Sequence, residues 1–261
     1  MRPMSARPVP PVLRWVLPLA VGALLLAAWW IASATGQFPR GTVPSPEAVA
    51  RGFGAEARSG RLVDDIVASL YRVGFGFVGA VLVAVPLGLV LGRFALARAA
   101  ILPWVNFFRT LSPIAWIPFA IIWFGIGDPP ALFIIFLATF FQNTLATVGA
   151  TATVPRVHYR VADDLGLRGA AVLFEVTLPA ILPQLMVALR VAIGVAWMVV
   201  VAAEMIAVRS GLGFLIIDAR NALRMDLVVV GMITIGAIGI ALDALFAWLG
   251  RAPMMRWGSE R

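Results

Sequence analysis

An arginine lies inside an apolar stretch that three prolines interrupt. The prolines are Pro103, Pro113 and Pro118, and the arginine is Arg109. Each proline removes a backbone donor and clashes with the preceding helical turn, so a helix here must break. Broken backbone at membrane depth is tolerated only against protein or a water-filled cavity, and an arginine there must be hydrated or paired. The stretch therefore predicts either an anion path that contains Arg109 or a structural ion pair.

A second set of polar side chains repeats every seven residues in a later apolar run. Arg190, Trp197 and Glu204 lie on nearly one face of a helix, with about 20 Å between the first and the last at 1.5 Å per residue. Charge on such a helix cannot face lipid cheaply. The face therefore lines a pathway, or its charges form structural pairs with partners such as Arg72 or Asp243.

The loop at 156–179 contains a short amphipathic segment. Val161, Ala162 and Leu165 form an apolar patch among charged residues, and Gly166 suits the turn that ends a helix. A helix tethered in this way can dock into a groove on a partner protein, or it can lie on the lipid surface. The acidic residues indicate a solvated face rather than a catalytic cluster; they are Asp163, Asp164 and Glu175.

Apolar runs long enough to cross a bilayer surround these segments. The 261-residue chain is 61% hydrophobic and 13% charged, with a mean hydropathy of +0.95, which is typical of a polytopic membrane protein. Six spans are predicted, at Trp15–Ala34, Ile66–Leu91, Ile101–Gly125, Ala131–Ala150, Ala180–Val208 and Leu227–Leu249. We therefore expect an all-α fold, with a tight hairpin at 125–130 between the third and fourth spans.

The arginines indicate how the spans are oriented. An N-terminus on the cytoplasmic side places eleven loop arginines inside and seven outside, and six spans place both termini on that side. The chain then divides into an N-terminal part with the first span and an outer loop that carries a short surface helix (1–65), a transmembrane domain (66–250) and a cytoplasmic tail (251–261). The first span could instead be a cleaved signal peptide that ends near Ala32–Ala34.

Several chemistries are excluded by composition. Cysteine is absent and there is one histidine, so a thiolate site is excluded and a histidine-built metal site is disfavoured. The sequence contains no lysine, so it cannot supply the lysine of an ATP-binding P-loop. The net charge of +8 favours contact with anionic lipid over nucleic acid. A membrane enzyme would need clustered carboxylates or histidines near one membrane face, and the sequence offers no such cluster.

Small residues follow one stripe along the second span. A helix with small side chains on one face allows another helix to approach closely, which predicts packing within the bundle. The residues are Gly76, Ala80, Ala84, Gly88 and Gly92.

The loop at 156–179 resembles that of the permease subunits of bacterial ABC importers. Their signature is E-A-A-x-x-x-G, followed about a dozen residues later by L-P and a second proline. Gly166, Leu178, Pro179 and Pro183 match this pattern, and Ala162 takes the last alanine. Arg160 and Val161 replace the first two residues, so no salt bridge of the usual glutamate is expected.

Other stretches resemble the nitrate, sulfonate and taurine branch of these permeases. The similar motifs are Arg109 with Pro113 and Trp116, residues 122–127, residues 203–206 and residues 211–214, and the likeness extends from about residue 66 to residue 257. The predicted substrate pathway includes Arg109, Pro113 and Trp116 of these motifs, and Arg190, Trp197 and Glu204 with their seven-residue spacing.

The resemblance also implies partners. The chain would be one half of a homodimer with a type I importer fold, in the bacterial inner membrane. A coupling helix docked on one of two ATPase subunits would contain Arg160, Val161, Ala162, Asp163, Leu165 and Gly166. The ATPase subunits, rather than this chain, would bind ATP and Mg. A periplasmic binding protein would deliver a small anion such as taurine, another alkanesulfonate or nitrate. The alternative is an ion-coupled transporter or channel without an ATPase.

Overall fold

The regular elements of the described residues are all helical. A computed structural model describes residues 11–35 and 42–251 of the chain. The α-helices are α1 (Pro11–Ala34), α2 (Pro46–Ser59), α3 (Arg61–Arg93), α4 (Ala95–Thr110), α5 (Ile117–Phe124), α6 (Asp128–Ala152), α7 (Arg156–Asp164), α8 (Leu178–Ala207), α9 (Leu212–Asn221) and α10 (Met225–Leu249). A 3₁₀ turn (Pro113–Trp116) precedes α5, and a π turn (Val172–Thr177) precedes α8. The all-α prediction is confirmed.

Five helical segments are long and apolar enough to cross a membrane. They comprise α1, α3, α6, the π turn with α8, and α10, and a sixth span exists if α4 and the segment Pro113–Phe124 count as one. These spans correspond to the six apolar runs of the sequence. The chain is therefore a multi-pass membrane protein.

The third predicted span is bent by 88°. Only one of its three prolines marks the break, because Leu111 and Ser112 are extended immediately before Pro113. The residue before a proline is biased away from helical backbone, which explains the position of the bend. Pro103 lies inside α4 without ending it, and Pro118 is tolerated in the first turn of α5, where its missing N–H costs little.

The small-residue stripe packs α3 against α6, as the sequence predicted. A methyl group added at Gly76 would lie 2.8 Å from Ile135, and one added at Gly88 would lie 2.5 Å from Cβ of Thr147. These distances are shorter than normal van der Waals contact, so the two backbones approach closely only because these positions lack a side chain. This pair of helices forms the centre of the bundle.

Besides α7, two short helices lie outside the spans. The first, α2, was predicted as a surface helix; Ser45 caps it, and Gly52 packs against α10. The second, α9, was not predicted, because ten residues between two long apolar runs give a weak periodic signal. The helix α3 begins at Arg61, so the predicted domain boundary between residues 65 and 66 falls inside it.

Candidate functional site

A cavity of about 440 Å³ opens at the bend between α4 and α5. Three of the six predicted pathway residues, Arg109, Pro113 and Trp116, meet there because the extended residues before Pro113 turn the chain back toward α6 and α8. The complete lining is Phe108, Arg109, Leu111, Pro113, Trp116, Leu137, Ala138, Phe141, Gln142, Val195 and Val199.

Only two side chains of this lining are polar or charged, Arg109 and Gln142. None of the salt bridges among the described residues includes Arg109, so the alternative of a structural ion pair is not what the geometry shows. The cavity therefore combines apolar walls with an arginine that has no counter-charge. Sequence reasoning missed Gln142, although an amide in the middle of an apolar helix was a usable signal.

The other three predicted pathway residues do not line the cavity. On α8 the cavity is lined by Val195 and Val199, which lie roughly 160° around the helix from Trp197 at 100° per residue. Trp197 is instead buried, and its indole Nε1 donates a hydrogen bond of 2.9 Å to the carbonyl of Ile235 in α10. Trp197 therefore packs α8 against α10.

Arg190 forms an ion pair with Asp243 of α10. Its Nε and Nη2 lie 2.6 and 2.5 Å from the two carboxylate oxygens, and both side chains are partly exposed. The bidentate geometry neutralises both charges at the surface between the two helices. The structural pair named as the alternative is the arrangement found.

Glu204 is fully buried and lies in a polar cluster with Arg72 of α3. Arg72 Nη1 lies 2.7 Å from Glu204 Oε1, and its Nε lies 2.8 Å from Asp128 at the start of α6. Ser69 donates to the Glu204 carboxylate, and Ser210 receives two hydrogen bonds from the same guanidinium. One arginine thus joins α3, α6, α8 and the chain that follows α8.

The cluster also holds the first turn of α9. Three successive backbone N–H groups, of Gly211, Leu212 and Gly213, donate to side chains of Asp65, Ser69 and Glu204, respectively. These donors lack helical partners at a helix start, so the cluster satisfies both the charges and the backbone. A methyl group at Gly213 would meet Cβ of Glu204 at 2.8 Å, which explains that glycine. Glu204 is therefore placed as an architectural residue rather than beside the cavity.

The segment 156–179 begins with helix α7, which ends as the sequence predicted. Gly166 has a φ of +74°, and its N–H bonds to the carbonyl of Asp163 at 3.0 Å, while the N–H of Leu167 bonds to the carbonyl of Ala162 at 2.9 Å. This pair of bonds is the Schellman turn, which favours glycine at the left-handed position. A side chain at Gly166 would point into open space.

The outer face of α7 is an apolar row rather than the predicted patch. Val157, Val161 and Leu165 are exposed and lie four residues apart, on one side of the helix. Ala162 is buried, so it packs α7 onto the bundle instead of contributing to the outer face. Arg160, Asp163 and Asp164 are exposed around this row.

Two contacts fix α7 against the neighbouring ends of the spans. The guanidinium of Arg93, at the end of α3, lies 4.8 Å from the centroid of the Tyr159 ring. The Tyr159 hydroxyl lies 3.5 Å from that of Thr177 in the π turn. Leu178, Pro179 and Pro183 then open α8, where Pro179 takes the first turn and Pro183 lies inside the helix. The segment is therefore braced on the bundle while its apolar row stays uncovered by the described residues.

Comparison with known proteins assigns the family. The family described as "Binding-protein-dependent transport system inner membrane component" matches residues 84–253. The chain belongs to this family. The matched segment contains the cavity, α7 and Glu204, so the features described above lie within the shared part of these permeases.

Several relatives of this permease have names that specify transport. A protein of Brucella melitensis named "Probable ABC transporter permease protein" is 39% identical over 230 residues, which cover 88% of this chain and 91% of the relative. The taurine transport system permease protein TauC of Escherichia coli is 32% identical over 241 residues and 88% of each chain. The nitrate import permease protein NrtB of a Synechocystis species is 33% identical over 184 residues, which cover 70% of this chain and 67% of the relative.

A solved structure has a similar fold. It is the inward-facing methionine ABC transporter MetNI, whose matching chain gives a TM-score of 0.58 at 19% identity, over 74% of this permease and 97% of that chain. The predicted type I importer fold is confirmed. The protein is thus a permease subunit of an ABC importer, a transport component rather than an enzyme, and belongs to a family that works with ATPase and binding-protein partners.

Proposed function

We propose that two copies of this permease form the membrane pathway of an importer for a small organic or inorganic anion. Two copies of a cytoplasmic ATPase subunit, which bind ATP and Mg, drive transport, and a periplasmic binding protein delivers the anion. The proposed location of the permease is the bacterial inner membrane, with both termini in the cytoplasm. The relative named for nitrate transport supports an anionic substrate, and the relative named for taurine transport supports one with a sulfonate head.

The observation that carries the proposal is the uncovered apolar row of α7. Val157, Val161 and Leu165 stand out from a helix that is fixed at both ends, and charged side chains surround the row. Such a face matches the apolar centre and polar rim of a docking surface between proteins. We assign it to the ATPase, because α7 lies at the ends of the spans where the arginine-rich loops indicate the cytoplasm.

The cavity supports the choice of an anion. Arg109 faces the bend of a broken span, in a lining that contains no carboxylate. A cationic side chain in a lining without a carboxylate favours negative charge in the cavity, because no internal counter-charge competes for it. Arg190 does not contribute to this field, because Asp243 neutralises it.

The test compares two glycines with similar left-handed φ values, Gly166 and Gly60. Gly166→Trp places a bulky side chain beside the apolar row, and Gly60→Trp places one at the opposite end of α3; both positions have a left-handed φ and open space around them. Each variant is purified by affinity from native membranes in mild detergent, and the proteins that travel with it are identified by mass spectrometry.

We expect the unaltered permease and Gly60→Trp to recover an equimolar ATPase subunit, and Gly166→Trp to lose most of it while remaining inserted. A left-handed non-glycine residue costs about 1–2 kcal/mol in both variants, so their difference reports docking rather than strain. Recovery of the ATPase with both variants would remove α7 from the interface. A permease that never recovers an ATPase would favour ion-coupled transport instead.

A further inference from the structure

The cavity at the α4–α5 bend is lined mainly by apolar side chains, with two polar ones. Nine of its eleven side chains are apolar, and three of these are the aromatic rings of Phe108, Trp116 and Phe141. The two polar side chains come from different helices, Arg109 from α4 and Gln142 from α6. None of the side-chain hydrogen bonds found among the described residues involves either of them, so both are available to a ligand.

We propose that this cavity is an open substrate chamber of the permease, fitted to an organic anion with a sulfonate or carboxylate head, an apolar body and no ammonium group. The proposal rests on the transport function proposed above and narrows its substrate. Arg109 neutralises the head, Gln142 donates a second set of hydrogen bonds to it, and the apolar walls hold the body.

The head group follows from the two polar side chains. A guanidinium presents a planar fork of donors that matches the oxygens of a carboxylate or sulfonate. The Gln142 amide adds two N–H donors without adding charge. A single cation then balances a single negative charge, so a monovalent head suits the chamber.

The apolar walls select against inorganic anions. Nitrate and bicarbonate are polar over their whole surface, whereas the side-chain donors of this cavity are limited to Arg109, Gln142 and the indole N–H of Trp116. Nitrate carries three oxygens, as a sulfonate head does, so the same donors serve both anions, but nitrate has no apolar body to contact the walls. An alkyl or aryl body instead gains free energy where it replaces water against Trp116, Leu137 and Val199. The volume of about 440 Å³ lies within the range of small-molecule sites.

The missing counter-charge selects against an ammonium group. A zwitterion such as taurine would bring its ammonium into a lining without Asp or Glu, and close to Arg109. Removal of a cation from water without a partner is costly. Propane-1-sulfonate has nearly the same shape as taurine, with a methyl group in place of the ammonium, so the two form a matched pair of probes.

The experiment measures binding to the permease–ATPase complex in lipid nanodiscs, without the binding protein. Methanesulfonate, propane-1-sulfonate, pentane-1-sulfonate, taurine and nitrate are titrated, and the signal of empty nanodiscs is subtracted. We expect the affinity to rise about fourfold for each methylene added to the alkanesulfonate. Propane-1-sulfonate should bind at least about tenfold more tightly than taurine or nitrate.

Two variants with matched controls locate the binding. Gln142→Leu should weaken every sulfonate by about tenfold, through loss of the head contact. Asn106→Leu removes an exposed amide of α4 that does not line the cavity, and should change nothing. Arg109→Ala should remove measurable binding, and Arg51→Ala, an exposed arginine of α2, should not.

The proposed chamber would be contradicted if the affinity did not depend on the length of the alkyl chain. It would also be contradicted if nitrate or taurine bound as tightly as propane-1-sulfonate. Retained binding in both Gln142→Leu and Arg109→Ala would also overturn it. Uptake of an anion by the complete importer, without any sulfonate binding in nanodiscs, would leave the proposed function standing and remove only the chamber. Failure of the complex to form would instead count against the proposed function.

Discussion

Arg72 and Arg109 are both arginines of membrane-spanning segments, but their surroundings differ in every respect. Arg72 is 3% exposed and contacts Glu204, Asp128 and Ser210 with all its nitrogen atoms. Arg109 lies in a cavity, with no charged partner among the described residues. A charge that is completely paired joins helices, whereas a charge left unpaired in a cavity is available to a ligand. The contrast separates architecture from transport in this permease.

The largest effect is expected when the paired arginine is removed. Arg72→Leu leaves Glu204 buried without a counter-charge, which costs about 3–5 kcal/mol and should strongly lower the thermal unfolding temperature of the permease. Thermal unfolding in nanodiscs measures the change. The double variant Arg72→Leu with Glu204→Leu should regain part of the loss, because apolar pairs often replace buried ion pairs well. Equal stability of the single variant and the unaltered permease would contradict the structural role of Arg72.

The unpaired arginine should behave in the opposite way. Arg109→Ala removes a charge-assisted contact worth about 1.5–3 kcal/mol, so uptake should fall by about 10–100-fold at matched expression. The thermal unfolding temperature should stay the same, because no partner is left unsatisfied. Arg51→Ala serves as the control for loss of an arginine. Unchanged uptake would assign Arg109 to a structural role.

Close packing of α3 against α6 can be tested with one methyl group. Gly88→Ala would place Cβ 2.5 Å from Cβ of Thr147 and should cost about 1–2 kcal/mol. Gly74→Ala on the same helix has no neighbour within 4 Å, so it should be neutral or stabilising. Thermal unfolding of the two variants provides the comparison, and equal effects would contradict the helix contact.

The smallest effect is expected at the exposed pair. Arg190→Gln combined with Asp243→Asn keeps the shape of both side chains and removes both charges. Uptake should remain within about twofold, because the pair is already neutral and lies outside the cavity lining. A loss of uptake as large as that of Arg109→Ala would show that Arg190 contributes to the substrate pathway.

Local patterns predicted the features that depend on neighbouring residues. The six apolar runs, the small-residue stripe and the glycine turn of α7 each follow from a periodicity or a backbone preference, and each was found. Ala162 was misplaced because the segment was treated as one patch, whereas its neighbour Val161 lies about 100° around the helix.

Pairings across the fold were harder to predict. Arg72 and Glu204 are 132 positions apart, and Arg190 and Asp243 are 53 positions apart, so sequence spacing could name these partners but could not choose between pairing and pathway lining. Gln142 became a candidate ligand-binding residue only when the bend between α4 and α5 placed it in the same cavity lining as Arg109. Proline breaks and seven-residue spacing grouped pathway residues that the fold then divided between a cavity, the packed core and an exposed ion pair.

The most direct test of the account is transport by the purified permease in proteoliposomes. A panel of alkanesulfonates, taurine and nitrate is offered with the binding protein, either to the complete complex with ATP or to the permease alone under a proton or sodium gradient. We predict that at least one of these anions accumulates, only when the ATPase and ATP are present. Accumulation by the permease alone, driven by an ion gradient, would contradict the account.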